Sequence, residues 1–164
     1  MSAVVIAPVR NGLGVVAARA FHARRTIIKI VGRVVAADVL WERGGAFADN
    51  CFRFGPETYL DPGDEPGRFL NHSCAPNAGI RKHNHQLFLF AAHSIKRGDE
   101  IVIDYSTILG DDDIWTMRCK CGSRSCRRTI KRFGSLPVEL RRVYLRQGLV
   151  PKYIISTLKQ NLSE

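Results

Sequence analysis

The feature that most constrains this chain is a group of three cysteines within the eight residues C-K-C-G-S-R-S-C at 119–126. Thiols this close in one loop oxidise readily unless a metal ion holds them, and a structural zinc site needs four Cys or His ligands in a closed tetrahedron. Three ligands are local, and the fourth must come from elsewhere, with Cys74 expected and Cys51 as the alternative. The sequence predicts a zinc site that joins distant segments. A reduced, metal-free loop is the competing interpretation.

The cysteine usage also bears on the class of protein. Five cysteines, three of them clustered, do not form the even, dispersed set that is typical of a secreted disulfide scaffold. No run approaches the ~20 apolar residues that span a bilayer, and the N-terminus lacks the pattern of a secretory signal. We expect one domain of 164 residues in the cytoplasm, with nucleoid-associated or host-directed action as further options.

The net charge of +10 is concentrated in one part of the chain. Residues 118–152 contain eleven Lys and Arg and one acid, whereas residues 38–65 carry seven acids against two arginines and residues 99–113 carry six acids and no Lys or Arg. A basic surface is typical of phosphate binding and an acidic one of basic-peptide binding, although either can be only a solvated face. We therefore expect a basic protein or peptide as partner of the acidic segments. The C-terminal third is expected to contact nucleic acid or an acidic partner.

Short runs rich in Val, Ile and Phe, bounded by turn residues, predict strands through the first hundred residues. They lie at 4–9, 14–19, 26–35, 50–54, 86–92 and 100–105. A short helix is expected at 37–43, and two more after Pro137 and Pro151. The apolar stripes of these two helices are Leu140, Val143 and Tyr144, and Ile154, Ile155, Leu158 and Leu162. The chain is predicted to be mainly β with C-terminal helices packed on the core.

Three further motifs carry candidate chemistry. The segment G-R-F-L-N-H-S-C at 67–74 is dense in hydrogen-bonding groups, which fits either a nucleophile pair or a satisfied turn. The segment E-I-V-I-D-Y at 100–105 ends in Tyr105, whose hydroxyl can orient an amine. Gly12-Leu13-Gly14 allows close backbone approach to a ligand, but it lacks the third glycine of a dinucleotide-binding fingerprint.

The order of these motifs resembles the SET-domain protein-lysine methyltransferases with a post-SET zinc loop. The order is G-L-G at 12–14, Gly32, R-F-L-N-H-S-C-A-P-N at 68–77, E-I-V-I-D-Y and C-x-C-x4-C. The helical tail is similar to extensions of small bacterial members. The resemblance implies a SET core at 3–106 with an insert at about 38–65, a post-SET zinc loop at 115–130 and a helical C-terminal extension at 131–164. It also implies a β-clip-like fold of small curved sheets, with a pseudoknot that brings R-F-L-N-H-S-C beside E-I-V-I-D-Y.

The resemblance also implies the site. S-adenosylmethionine is expected on the backbone around Gly12, Leu13 and Gly14, with Asn71 on its amino group, the His72 backbone on its adenine edge and Ile130 on the adenine. Tyr105 is the expected catalytic residue, and Zn²⁺ is expected on Cys74, Cys119, Cys121 and Cys126. Tyr59, Asp61, Asp64 and Glu65 are expected in the substrate groove, with Tyr59 as the only nearby aromatic because residues 62–66 contain none.

The implied activity is transfer of a methyl group from S-adenosylmethionine to a lysine amine on a basic protein segment. Deprotonating lysine at neutral pH costs ~4 kcal/mol, and a narrow apolar channel beside a sulfonium lowers that cost. Two other interpretations stay open. One is a catalytically silent SET fold that binds cofactor or nucleic acid, which the missing channel aromatics favour. The other is a zinc-dependent DNA-binding protein, which the lack of a recognition helix opposes.

Overall fold

The computed structural model describes residues 2–160 and confirms a mainly β chain with C-terminal helices. The strands are β1 Val4–Val9, β2 Gly12–Ala17, β3 Thr26–Ile30, β4 Arg33–Ala36, β5 Phe52–Gly55, β6 Thr58–Asp61, β7 Asn71–His72, β8 Ala78–His83, β9 Gln86–Ala91, β10 Val102–Ile103, β11 Met117–Arg118 and β12 Thr129–Ile130. The helices are α1 Ala37–Arg43, α2 Gly45–Asn50, α3 Val138–Gln147 and α4 Lys152–Gln160. Within residues 2–160, no helix combines the length and apolarity needed to cross a membrane. The end of the expected 131–164 extension, including Leu162, lies outside the described residues.

The described strands form five small sheets, as predicted. β1 and β2 form an antiparallel hairpin, and two three-stranded antiparallel sheets have the orders β3-β9-β8 and β4-β6-β5. β7 pairs in parallel with β10, and β11 pairs antiparallel with β12. β6, β8 and α2 were not predicted, because their sequences are short or polar and give little periodic signal.

The run predicted as a single strand at 26–35 is two strands in different sheets. Gly32 lies at the break, where a Cβ atom would be 2.3 Å from the backbone oxygen of Asp61. Only glycine permits this approach, since any side chain would overlap the neighbouring backbone. The chain can therefore leave the β3 sheet and pair with β6 as β4.

Two apolar clusters hold the sheets and helices together. The main core includes six side chains with no exposed surface: Val15, Ile80, Leu87, Ala91, Ile101 and Ile103. A second cluster joins Phe90 of β9 to Phe133, Leu136, Tyr144, Leu149, Val150 and Ile154. The C-terminal helices therefore pack on the β9 sheet.

The pairing of β7 with β10 positions the site. Asn71 lies opposite Val102, and His72 lies opposite Ile103. The side chain of Asn77 extends the pairing, since it accepts from the Val102 N–H at 2.9 Å and donates to the Glu100 carbonyl at 2.8 Å. The predicted meeting of R-F-L-N-H-S-C with E-I-V-I-D-Y is thus confirmed, and Tyr105 follows directly after this pairing.

Candidate active site

Two cavities meet at Tyr105. The smaller, which we call the aromatic cavity, has a volume of about 70 Å³ and lies among α1, α2, β5, β6 and residues 105–115. The larger, which we call the Asn71 cavity, has a volume of about 480 Å³ and lies between β7 and the β11–β12 hairpin. Among the described residues, Tyr105 alone lines both cavities.

Aromatic side chains from several elements line the aromatic cavity: Trp41, Phe52, Tyr59, Tyr105 and Trp115. The rings of Trp41 and Tyr59 meet edge to face at 6.3 Å, and those of Tyr105 and Trp115 are also 6.3 Å apart. The indole N–H of Trp115 donates to Asp49 of α2 at 2.7 Å. Tyr59, the expected substitute for the aromatic that residues 62–66 lack, thus lines this cavity beside four other aromatic side chains. Both tryptophans come from segments far from Tyr59 in sequence.

A buried ion-pair network supports Tyr59 from behind. Arg53 is 4% exposed and donates to Asp113 at 2.8 Å and to Asp112 at 2.6 and 2.5 Å. Asp113 also accepts from the Tyr59 hydroxyl at 3.3 Å. Burial, followed by the charge of Asp113, raises the pKa of Tyr59, so this phenol stays protonated. Sequence reasoning noted the acids but missed their buried arginine partner, which has no local sequence signal.

Tyr105 donates its hydroxyl hydrogen to the Leu70 carbonyl at 2.7 Å. Burial, followed by the negative charges of Glu100 and Asp49, raises the pKa of Tyr105 to about 12. The phenol is therefore neutral at physiological pH, and its one hydrogen is already engaged. Its oxygen lone pairs can still accept from an amine N–H, so Tyr105 can orient an amine.

Asn71 lines the larger cavity with its amide nitrogen engaged on both sides. Nδ2 donates to the Leu13 carbonyl at 3.0 Å and to Glu100 Oε1 at 2.9 Å. An amide has two N–H hydrogens, so both are used here. The group left for a ligand is the acceptor Oδ1, which suits an amino group.

The G-L-G segment acts on this cavity through Asn71. Gly12, Leu13 and Gly14 are not among the lining residues, whereas Asn11 is. A Cβ atom at Gly14 would lie 2.8 Å from Glu100 Oε1 and 3.0 Å from Asn71 Nδ2. A side chain at position 14 would therefore push Asn71 out of place, which explains why a glycine is needed.

His72 joins Tyr105 to the cysteines. Its Nδ1 accepts from the Tyr105 backbone N–H at 3.1 Å, so Nε2 carries the hydrogen and lies 3.3 Å from Cys74 Sγ. Burial lowers the pKa of His72 to about 4, which keeps the ring neutral. Ile130 is 1% exposed and lines the Asn71 cavity from β12.

Four cysteine sulfurs gather beside His72. Cys119 Sγ lies 3.7 Å from Cys74 Sγ and 3.6 Å from Cys126 Sγ. Cys121 belongs to the same group, since the ligand atoms of His72, Cys74, Cys119 and Cys121 all lie within 4.8 Å of one another. A tetrahedral zinc ion with Zn–S bonds of about 2.3 Å holds its sulfurs about 3.8 Å apart. We call Cys74, Cys119, Cys121 and Cys126 the thiol cluster: the Cys74–Cys119 and Cys119–Cys126 spacings fit zinc, and His72 belongs to the same group of possible ligand atoms as Cys74, Cys119 and Cys121.

Other predicted residues lie away from both the thiol cluster and the Asn71 cavity. Cys51, the alternative fourth ligand, lines the aromatic cavity and donates to the Phe47 carbonyl at 3.2 Å. Three expected groove residues, Asp61, Asp64 and Glu65, do not line either cavity. Asp49 and Asp113 are the acids that line the aromatic cavity instead.

A buried carboxylate links three parts of the chain. Asp104, which follows β10, accepts from Arg127 at 2.7 and 2.8 Å and from the Tyr144 hydroxyl of α3 at 2.9 Å. The Arg127 backbone N–H donates to Cys74 Sγ at 3.4 Å. This network therefore connects the core, the cysteine loop and the C-terminal helices. Sequence reasoning missed it, because its members are far apart along the chain.

Comparison with known proteins agrees with this geometry. The family model of the SET domain matches residues 12–106. A histone-lysine N-methyltransferase, H3 lysine-4 specific, of Mycosarcoma maydis is 32% identical over 114 residues, covering 62% of this chain and 8% of that protein. Histone-lysine N-methyltransferase 2D of Homo sapiens is 27% identical over 129 residues, covering 72% of this chain and 2% of that protein. A histone-lysine N-methyltransferase, H3 lysine-9 specific, of Fusarium mangiferae is 42% identical over 79 residues, covering 38% and 23%.

The chain thus spans less than a quarter of the length of each of these relatives. The family model covers more than half of the chain and includes β7, β10 and Tyr105, where the two cavities meet. On the sequence match and the fold together, the chain belongs to the SET domain family.

Proposed function

We propose that this chain is an S-adenosylmethionine-dependent protein-lysine N-methyltransferase. The observation that carries the proposal is that an aromatic cavity and a larger polar cavity share the side chain of Tyr105. A transferase must hold donor and acceptor with the reacting atoms in contact, and this alignment accounts for a large part of the rate acceleration. The names of the relatives describe histone-lysine N-methyltransferases, which supports the same activity.

The Asn71 cavity has the size and the groups to hold S-adenosylmethionine. Its volume falls in the range of roughly 300–1,000 Å³ that is usual for small-molecule sites. Asn71 Oδ1 would accept from the amino group, the backbone of His72 would hold the adenine edge and Ile130 would pack on the ring. Arg118 and Lys120 add positive charge for the carboxylate. The bound molecule supplies a methyl group on a sulfonium sulfur.

The aromatic cavity suits the side chain of lysine. Asp49 at its rim is exposed and attracts the ammonium group, and the faces of Trp41 and Trp115 favour a cation by cation–π attraction. Deeper apolar walls favour the neutral amine, which offsets part of the ~4 kcal/mol cost of deprotonation. Tyr105 then accepts an amine N–H and aligns the nitrogen towards the Asn71 cavity.

We also propose that the thiol cluster holds a structural zinc ion in a post-SET loop. The sulfur spacing supports this, and so does the Arg127 backbone N–H on Cys74, because four thiolates leave a negative centre around the metal. The ion would fix the β11–β12 hairpin, which carries Ile130 and one wall of the Asn71 cavity. All five cysteines are free, which supports a reducing, cytoplasmic location.

We propose a basic segment, histone-like or otherwise rich in Lys and Arg, as the protein substrate. The insert at 38–65 is net negative, and Asp49 within it lies at the rim of the aromatic cavity. Asp61, Asp64 and Glu65 would contact the substrate beyond the cavity. The silent-fold interpretation rested on missing channel aromatics, and the presence of Trp41 and Trp115 in the lining of the aromatic cavity argues against it.

Tritium transfer from labelled S-adenosylmethionine to a Lys/Arg-rich peptide tests the activity. We expect labelled methyl-lysine after hydrolysis, and none when each lysine of the peptide is replaced by arginine. Calorimetric titration of the same preparation with S-adenosylmethionine tests the donor site separately. A preparation that binds the donor but labels no peptide, histone or ribosomal protein would refute the enzyme and favour the silent fold.

A further inference from the structure

The β11–β12 hairpin concentrates more positive charge than the single carboxylate of a methyl donor accounts for. Residues 117–132 contain seven Lys or Arg and no Asp or Glu. Arg127 is directed inward to Asp104, and Arg132 lies on Asp111. The other five are exposed, and no carboxylate of residues 2–160 lies within salt-bridge distance of them: Arg118, Lys120, Arg124, Arg128 and Lys131.

These cations stand on an ordered hairpin. Arg118 lies opposite Thr129, and the Cys119 N–H donates to the Arg128 carbonyl at 2.8 Å. The exposed Arg10, from the turn between β1 and β2, joins them, since a Cβ atom at Gly122 would lie 2.5 Å from its guanidinium carbon. Six exposed cations therefore lie on or against one hairpin. We call residues 117–132 together with Arg10 the basic hairpin.

We propose that the basic hairpin binds the phosphate backbone of double-stranded nucleic acid. A DNA duplex presents one negative charge about every 1.7 Å along its axis, which matches a dense group of unpaired cations. Four of the six cations are arginines, whose planar guanidinium groups pair with phosphate oxygens in a bidentate way. Binding to single strands uses aromatic side chains as stacking platforms, and residues 117–132 contain no Phe, Tyr or Trp. The composition therefore favours a duplex backbone over unpaired bases.

The position of the hairpin gives this contact a role, which rests on the proposed function. Arg118 and Lys120 line the Asn71 cavity, whereas the acidic Asp49 lines the aromatic cavity. The two cavities meet at Tyr105, so the basic and acidic surfaces border opposite sides of the reacting centre. A basic protein carried on a duplex would be held by its phosphates at the hairpin while its lysine enters the acidic side.

Fluorescence anisotropy with the full chain tests the binding without any methyl donor. The probes are a short DNA duplex, the matching RNA duplex, their single strands and a polyglutamate peptide. The hairpin variant is Arg124→Gln/Arg128→Gln/Lys131→Gln, in which no altered residue lines a cavity. The matched control is Arg25→Gln/Lys96→Gln/Arg97→Gln, which removes three exposed charges elsewhere.

We expect both duplexes to bind, with affinity that falls steeply with salt. The hairpin variant should bind at least ~10-fold more weakly, and its slope of log affinity against log salt should shrink by about 2–3, near 0.9 for each lost phosphate contact. The control should change by no more than about twofold. Equal binding by wild type and hairpin variant would overturn the proposal, as would tighter binding of single strands or of polyglutamate. Methyl transfer to a free short peptide should be unchanged in the hairpin variant. The binding measurement uses no methyl donor, so its outcome does not depend on whether the enzyme is active.

Discussion

The neutral phenol of Tyr105 gives its hydrogen to the Leu70 carbonyl, and its elevated pKa of about 12 keeps it in that state. A group already protonated cannot serve as the base for a lysine ammonium at neutral pH. The oxygen can still receive an amine N–H, and the ring forms the partition between the two cavities. The contribution of this residue is therefore alignment, which should affect rate more than donor affinity.

Tyr105→Phe tests that assignment. We expect kcat for a lysine peptide to fall by about 100-fold, because a misplaced amine loses in-line geometry, while the Kd for S-adenosylmethionine changes by no more than ~3-fold. Tritium transfer and calorimetry measure the two quantities. Tyr153→Phe is the matched control, since its hydroxyl donates to the Arg53 carbonyl at 2.6 Å and lines neither cavity. An unchanged kcat in Tyr105→Phe would show that the hydroxyl does not align the amine.

Gly14→Ala tests the link between G-L-G and Asn71. The added Cβ would crowd Val9 Cγ2 at 2.6 Å and Asn71 Nδ2 at 3.0 Å. We expect the affinity for S-adenosylmethionine, measured by calorimetry, to fall by about 10-fold or more as Asn71 is displaced, the loss of roughly one charge-assisted hydrogen bond. Leu13→Ala is the control, because the Leu13 side chain is half-exposed and contributes only its carbonyl to Asn71. Equal affinities of the two variants for S-adenosylmethionine would show that Gly14 does not affect the donor site.

At the scale of elements, Asp104 joins α3 to the cysteine loop through two partners, Tyr144 and Arg127. A buried carboxylate that loses a hydrogen-bond donor is left partly unsatisfied, and this weakens the remaining contacts of the carboxylate. The C-terminal helices are therefore coupled to the cysteine loop through this carboxylate and Arg127. Their influence should appear in how firmly the loop retains its ion.

Tyr144→Phe isolates this coupling. We expect about 1–3 kcal/mol less stability in chemical denaturation and a several-fold faster release of zinc to a chelator. Tyr153→Phe again serves as control, since it also removes a hydroxyl donor from a C-terminal helix, but far from Asp104. It should lose stability without faster zinc release. Identical release rates in the two variants would mean that α3 does not steady the loop.

Elemental analysis tests the metal itself. We expect one zinc per chain in the purified protein, a large loss in Cys126→Ser, and no loss in Cys51→Ser, because Cys51 lies outside the thiol cluster. Chelation should also expose the β11–β12 hairpin to hydrogen exchange, since the ion joins both ends of that segment to Cys74. Full zinc retention in Cys126→Ser would remove that residue from the ligand set.

For the whole molecule, the separation of charge is the dominant property. The insert at 38–65 is acidic, whereas residues 118–152 are strongly basic. Opposite charge would bring the proposed basic substrate to the acidic side, an effect that salt screens. This attraction should lower the KM for a basic peptide, since it acts on binding, before the chemical step.

Reversing three acids tests this long-range attraction. In Asp61→Lys/Asp64→Lys/Glu65→Lys we expect KM for a basic peptide to rise by about 5–20-fold at low salt, with the difference from wild type shrinking at high salt. Peptide kinetics at two ionic strengths measure it. Asp38→Lys/Glu42→Lys/Glu57→Lys is a control of equal charge change within the same insert, and it should have a smaller effect. If KM is insensitive to the first triple change, these acids do not belong to the substrate groove.

The sequence was informative where chemistry is local. The cysteine spacing predicted a metal site, which a group of Cys and His side chains in the fold suggests, and the N-H-S-C and D-Y segments predicted the meeting of β7 with β10 once their resemblance was recognised. The sequence did not predict contacts between side chains that come from remote segments. Trp41 and Trp115 reach one cavity from different elements, and Arg53 finds Asp113 only in the folded chain. Such contacts depend on how five small sheets are placed, which periodicity cannot encode.

The two cavities share Tyr105 and, among the described residues, no other lining side chain, so donor and lysine would occupy separate compartments that meet at this ring. On the proposed chemistry, spent donor can leave one compartment and fresh donor enter while the lysine stays in the other. The same nitrogen can then receive another methyl group during one encounter with the substrate.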